Sequence, residues 1–463
     1  MRHNSQAEDL RFAVLVALLA ACFLMGGASR ADVISLILLQ PFAAICATVF
    51  LIMPGPRDWR AVRTPLLLLS MLGGIMAAQL IPLPPTVWTE LPGHGAFAQS
   101  ATAAGMGQPW RPMSLSPDLT LASLVGLVVP LAVLLGFASI GARHRPRLLT
   151  VIIIGSAVSA MFGLAQVSGG EQSPLYLYRI TNLGLAVGLF SNRNHEALLI
   201  AMTWPMLVAW AMVPRRDRRR RVATCWVAAG FAMFLFPLLL VTGSRAGLIL
   251  GLIALGCAGL AWQRGKGAPA GPKAGLERYV ISALGVAGAV LIAATIFLSR
   301  DQAVQRMLNL SAGDDARIEA TPVLIGMARD FVPVGSGFGS FDPVFRYYEP
   351  SSMLGPQYLN HAHNDLLELA ITAGMPGIVL VMVFLAWLVR QSIQAWRSND
   401  TGLDVAIART ASVMIVLTMM SSLVDYPLRT PLIMAIVAVA CGWLGTLSRE
   451  RDSSASSPKA LYE

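Results

Sequence analysis

Charge is what this chain has least of. Only 13% of its 463 residues are Asp, Glu, Lys or Arg while 55% are apolar, about half the charged share of a soluble globular protein, which excludes water as its main solvent. Paired cysteine signals are missing as well. Cys22, Cys46, Cys225, Cys257 and Cys441 all fall inside apolar runs with no CxxC spacing, so neither a disulfide framework nor a thiolate metal site is indicated. No HExxH is present and no third histidine stands close to His361 and His363, so no zinc-ligand set is completed. No internal repeat suggests two equivalent halves. The formal charge of +10 would suit nucleic acid only if it formed a basic patch on a folded soluble domain, and the pattern contains no such domain.

What is there instead is a succession of long apolar runs. A hydrocarbon core about 30 Å thick takes roughly 20 apolar residues per helix, and about twelve runs qualify: 12–28, 33–53, 64–82, 119–141, 148–168, 196–213, 222–241, 245–262, 279–298, 376–395, 405–424 and 430–447. The expected fold class is all-α, a polytopic membrane protein with about 12 transmembrane helices, taken as one membrane-embedded domain over residues 1–463. The first run has the basic start and short apolar core of a secretory signal, but no clean A-x-A site follows and it is read as a span.

Lys and Arg orient the set, because basic connections are retained on the cytoplasmic side. With the N-terminus inside, that side receives RDWRAVR (57–63), ARHRPR (142–147), RRDRRRR (215–221), the stretch 264–278 and RQSIQAWR (390–397). About 23 of the 35 basic residues then fall inside and about 11 outside, although the outer segments are much longer in total, so the alternation predicts the topology. RRDRRRR reads as an anchor, with binding of anionic membrane lipid as the alternative. The Ser-rich tail, 448–463, has the composition of a disordered cytoplasmic segment. Three outer segments are long, 83–118, 169–195 and a large loop over 299–375.

Polar residues concentrate at this outer face. In NHAHNDLLELAITAGMPG (360–377), two histidines, an Asn, an Asp and a Glu share nine positions. DLLELAITAG reads as a half-helix over 365–373, capped by Asp365 with Glu368 in a capping box, ended by Gly374 and followed by Pro376 at the start of the next helix. At about 14 Å it is too short to cross a bilayer. His361, His363 and Asn364 stand just before its N-terminus, where the helix dipole and free N–H groups favour an anion; a plain cap and loop is the alternative. In TGSRAG, Arg245 opens a span on the side where arginine is disfavoured. It is either a snorkelling side chain or a rigid fork for phosphate oxygens. Arg317 opens an amphipathic helix in the large outer loop, where a solvated charge is the alternative. In VGSGFGSF (334–341), alternating glycines centred on Gly337 form either a flexible turn or a backbone nest for an anion. No strand precedes them, which argues against a dinucleotide fingerprint. GLFSNRNHEALLIAM (188–202) brings Asn192, Arg193, Asn194 and His195 to the outer start of the sixth span, as helix caps or as contacts for a hydroxyl-rich ligand.

The order of these motifs along residues 185–395 resembles the O-antigen ligase and polymerase superfamily of bacterial membrane glycosyltransferases. The resemblance implies a GT-C-like enzyme of the inner membrane, its active site facing the periplasm. Such an enzyme transfers a glycan from undecaprenyl pyrophosphate to an acceptor, with no nucleotide sugar, metal or other cofactor. By position, Arg245, Arg317 and His363 match the family's two arginines and the histidine of its HN motif, and form the expected catalytic set. His361, which occupies a neighbouring place, joins Asn364, Asn192, Arg193, Asn194 and Gly337 as the expected substrate-binding set. The chain departs from the family in lacking an aromatic residue shortly after the loop arginine, where it reads RIEATPV. The acceptor is lipid A core for a ligase, a growing glycan for a polymerase and a protein for an O-oligosaccharyltransferase. A transporter or flippase would place charged residues near the middle of its spans, whereas these spans hold almost none away from their ends.

Overall fold

The computed structural model describes residues 2–215, 217–265, 312–355 and 359–447. The expected span 279–298, residues 299–311 of the outer loop, most of the basic stretch 264–278, the tail 448–463 and the side chain of Arg317 lie outside the described residues.

The described residues are 72% helical, and the fold is all-α. The helices are α1 (Arg2–Met25), α2 (Leu36–Ile52), α3 (Trp59–Gln79), α4 (Pro85–Trp88), α5 (Gly95–Ala103), α6 (Pro117–Gly126), α7 (Val128–Ser139), α8 (Arg147–Gly169), α9 (Arg193–Met212), α10 (Arg218–Val241) and α11 (Arg245–Gly265). After the undescribed stretch come α12 (Ala312–Phe331), α13 (Phe341–Tyr348), α14 (Asp365–Arg397), α15 (Leu403–Ser421), a 3₁₀ turn (Pro427–Arg429) and α16 (Pro431–Gly445). A two-stranded antiparallel ribbon pairs β1 (Pro82–Leu83) with β2 (Arg111–Pro112). Among the described residues, eight helical segments are long and apolar enough to cross a membrane.

Two expected spans differ from simple helices, each for a local reason. The run 119–141 is broken between α6 and α7 at Leu127, where Pro130 has no N–H to give the carbonyl of Gly126. The half-helix and the tenth span join as α14, kinked at Gly374 with φ +58 and ψ −148. A Cβ at Gly374 would run into the carbonyl oxygen of Pro333, and only glycine combines that backbone with that approach.

Apolar helices sort by how much of their circumference is covered. The apolar windows of α9 and α15 are 83% and 72% buried, against 28% for α3 and α10, so the first two are central and the others peripheral. Leu15, Leu18, Phe50, Phe137, Leu198, Leu417 and Trp443 belong to one buried core contributed by α1, α2, α7, α9, α15 and α16. A smaller cluster, with Phe331, Phe341, Phe345, Ala362 and Ile371, holds α12 and α13 against the first turns of α14.

Segments expected on one side of the membrane share one end of the bundle. At one end, Leu432 N–H donates to Gly26 O, Ser191 N–H to Gly27 O and Leu115 N–H to Ser336 O. There Gln79 joins three segments, donating to Thr372 O while accepting from Phe338 N–H, both at 2.9 Å. At the other end, Gly141 N–H donates to Glu8, Arg145 pairs with Asp58 at 3.0 Å, and Arg409 donates to Ala395 O and Ser398 O.

Candidate functional site

The site is built where α9, α11, α14 and the connection from α15 to α16 begin or end. Asn192 caps α9, its Oδ1 accepting Asn194 N–H at 2.9 Å, and Ser244 caps α11 by accepting Gly247 N–H at 2.9 Å. Ser244 Oγ also donates to Asn194 Oδ1 at 2.8 Å, so the two helix starts are tied together one residue from Arg245. A Cβ on Gly243 would stand 3.5 Å from Arg193 Nη1, so that guanidinium lies against the turn preceding Arg245.

The same two asparagines spend their amide N–H groups on Asp425. Asn192 Nδ2 and Asn194 Nδ2 donate to Asp425 Oδ2 at 3.0 and 2.6 Å. Tyr426 N–H lies 3.0 Å from Oδ1 of the same carboxylate, which is 1% exposed. Opposite stands His363, whose Nδ1 is 3.4 Å from Asp425 Oδ1 and makes no formed hydrogen bond. Burial pushes the Asp425 carboxyl up, but His363, the nearby His195 ring and the Asn194 amide outweigh it and hold the group well below the usual carboxylate range. The Tyr426 ring lies among three imidazoles, its centroid 4.3 Å from His361, 4.9 Å from His363 and 5.7 Å from His195.

His363 is held in an uncommon backbone shape. Its φ is +49, which no other non-glycine residue among those described shares in sign; such strain persists where surrounding structure enforces it, and it clusters at functional sites. The half-helix that follows is capped by Asn364, not by the expected Asp365: Asn364 Oδ1 accepts Leu367 N–H at 3.0 Å. Asp365 instead accepts from Ser422 Oγ and lies 3.5 Å from Arg429 Nε. Glu368 does not close a capping box either, since it is bonded to Ala362 N–H and His361 and ion-paired with Arg429. The reason is positional: Asn364 has the extended backbone of a cap, which puts Asp365 in the first turn beside a cation.

Four expected residues, His361, His363, Asn192 and Asn194, therefore meet around Asp425 and Tyr426, with Asn364 capping the half-helix that follows His363 and Arg193 and Arg245 at the starts of α9 and α11. Arg317 lies in α12, and its side chain is outside the described residues. Gly337 belongs to a different arrangement. The N–H groups of Ser336, Gly337 and Phe338 donate to Ile371 O, Thr372 O and Gln79 Oε1, leaving none of these three donors for an anion. At φ +104 a Cβ on Gly337 would collide with Ser114, so this glycine serves close backbone packing. Asp425, Tyr426 and Arg429 did not figure in the sequence reading. Their signal was SSLVDYPLRT, an Asp and an Arg within a short gap between two apolar runs.

A bundle of apolar helices with a buried cluster of histidines, asparagines and an acid at one end defines a polytopic membrane protein with a polar site at that end. Residues 229–382 match the family model described as O-antigen ligase. The match is confined to that stretch and supports a likeness to the O-antigen ligase and polymerase superfamily, a family of glycosyltransferase-type membrane enzymes. No curated protein matches the chain at a significant level.

Proposed function

We propose that the chain is an O-antigen ligase-like enzyme of the inner membrane. On this reading it transfers a glycan from undecaprenyl pyrophosphate to a hydroxyl of lipid A core at the periplasmic face. The observation that carries the reading is His363, strained and set against a buried carboxylate that Asn192 and Asn194 hold in place.

In the proposed step the acceptor oxygen attacks the anomeric carbon, and the bond to pyrophosphate breaks with its electron pair leaving on the phosphate oxygen. With Nδ1–H directed at Asp425, His363 presents Nε2 as the base that takes the acceptor's proton. Asp425 steadies the imidazolium that results, the role of an orienting carboxylate. Arg245 and Arg317 take the developing negative charge, which guanidinium forks match in shape and sign. Asn192 and Asn194 act on this reading through Asp425 and not as sugar ligands.

The test is transfer by purified Arg245→Lys, Arg317→Ala and His363→Ala at matched amounts of folded protein. Loss of about 10² or more in rate is expected for each arginine if it acts as other electrostatic stabilisers do; normal transfer in all three removes the mechanism. Lipid-linked intermediates in cells identify the acceptor class: blocked ligation leaves long chains on the carrier, and blocked polymerisation leaves single repeats.

A further inference from the structure

The left-handed turn at His363 needs something to hold it, and the proton-transfer reading does not say what. Two hydrogen bonds and an ion pair converge on Glu368, one turn into α14. Ala362 N–H reaches Oε2 at 2.9 Å. His361 Nδ1 and Arg429 Nη2 each reach Oε1 at 3.0 Å. The carboxylate is 0% exposed, a burial tolerated only with such partners. Its partners are not a random set. Ala362 and His361 immediately precede His363, and Arg429 lies four residues after Asp425. Glu368 thus fastens together the two chain segments whose facing side chains form the His363–Asp425 pair. Arg429 also reaches Asp365, at 3.5 Å, and so lies over both acids of the first turn.

We propose that Glu368 is a positioning residue: with Arg429 as its counter-charge, it locks residues 361–363 into the turn that aims His363 at Asp425. This rests on the reading of His363 as the base. A carboxylate is suited to the task because it takes Ala362 N–H, His361 and the Arg429 charge at once, whereas the amide of a glutamine puts a donor against either Ala362 N–H or the His361 and Arg429 side.

The experiment compares full-length wild type, Glu368→Gln and His363→Ala, purified and matched in amount. Two quantities are read: turnover on an undecaprenyl-pyrophosphate-linked glycan, and the affinity and stoichiometry of undecaprenyl pyrophosphate binding. Glu368→Gln is expected to lower kcat about 10- to 100-fold, the scale of a partner that orients a reacting group, while pyrophosphate binding keeps its wild-type Kd and stoichiometry. Wild-type kcat overturns the proposal. So does a loss of binding in step with turnover, which marks a residue that only supports the fold. If Glu368→Gln does not accumulate, Glu368→Asp is judged by the same two readings, since it keeps the charge and withdraws the carboxylate by one methylene. His363→Ala separates the two levels: if it retains transfer, the base reading falls and this proposal with it. If His363→Ala is inactive while Glu368→Gln and Glu368→Asp turn over normally, only the role of Glu368 falls.

Discussion

At the end of the bundle that gathers residues 56–58, 141–147 and 398–409, Arg57 and Arg409 are spent on carbonyls close to home. Arg57 donates to the carbonyls of Phe50, Leu51 and Met53, and Arg409 to those of Ala395 and Ser398. These are helix C-terminal carbonyls, where cations satisfy both the open acceptors and the dipole. At the other end the ionised groups reach far along the chain. Asn192 and Asn194 meet Asp425 across 233 and 231 positions, and Asp425 faces a histidine with a strained backbone. Arginines set on nearby carbonyls fasten helix ends; an acid, two amides and a strained histidine brought from distant segments assemble a site.

Substitutions test that division, and the largest effect belongs at the strained end. His363→Ala should lower transfer by about 10³-fold or more, within the range removed with a general base, at an unchanged melting temperature. Asp425→Asn should follow, lowering kcat about 10²-fold through a misdirected imidazole and leaving donor KM within a factor of two. A variant at the other end should do the reverse. Asp58→Asn leaves the buried Arg145 guanidinium, which donates to Asp58 at 3.0 Å, without its acid. It should cost about 2 kcal/mol of stability in a thermal melt, with transfer per folded molecule unchanged. If Asp58→Asn abolished transfer in a folded protein, the two ends would not be separable.

The smallest effect is a pH dependence. Burial raises the Asp425 carboxyl, but His363, His195 and Asn194 bring it below its ordinary value of 3.8. A carboxyl depressed on folding contributes stability that is complete above about pH 4 and lost as the pH falls through the lower folded value. Wild type should therefore lose melting temperature relative to Asp425→Asn as the pH falls below about 4; parallel curves would contradict an ionised, paired Asp425.

What could be read from the sequence follows the same line between near and far. The helices, the kink at Gly374 and the capping Asn192 depend on residues within a turn or two, and their signals are local. The cap of the half-helix was misassigned by one position because Asn364 and Asp365 are both good caps in sequence. Only the approach of Ser422 and Arg429 draws Asp365 away. VGSGFGSF illustrates the opposite failure, since alternating glycines suit an anion nest and a close-packed thread equally well until Ser114, Gln79 and Thr372 are seen against them. Asp425 and Arg429 carried almost no local signal. They lie outside the stretch 229–382 that matches the family model, and their meaning comes from partners 61 to 233 positions earlier.

The position of Asp425 after His363 in the chain has a consequence for how the site comes into being. It lies between α15 and α16, so a nascent chain still emerging from the ribosome holds a histidine with no carboxylate to face. On the proposed chemistry, a copy made only as far as α14 is inert toward lipid-linked sugars, and activity waits until the hairpin of α15 and α16 is threaded into the bilayer.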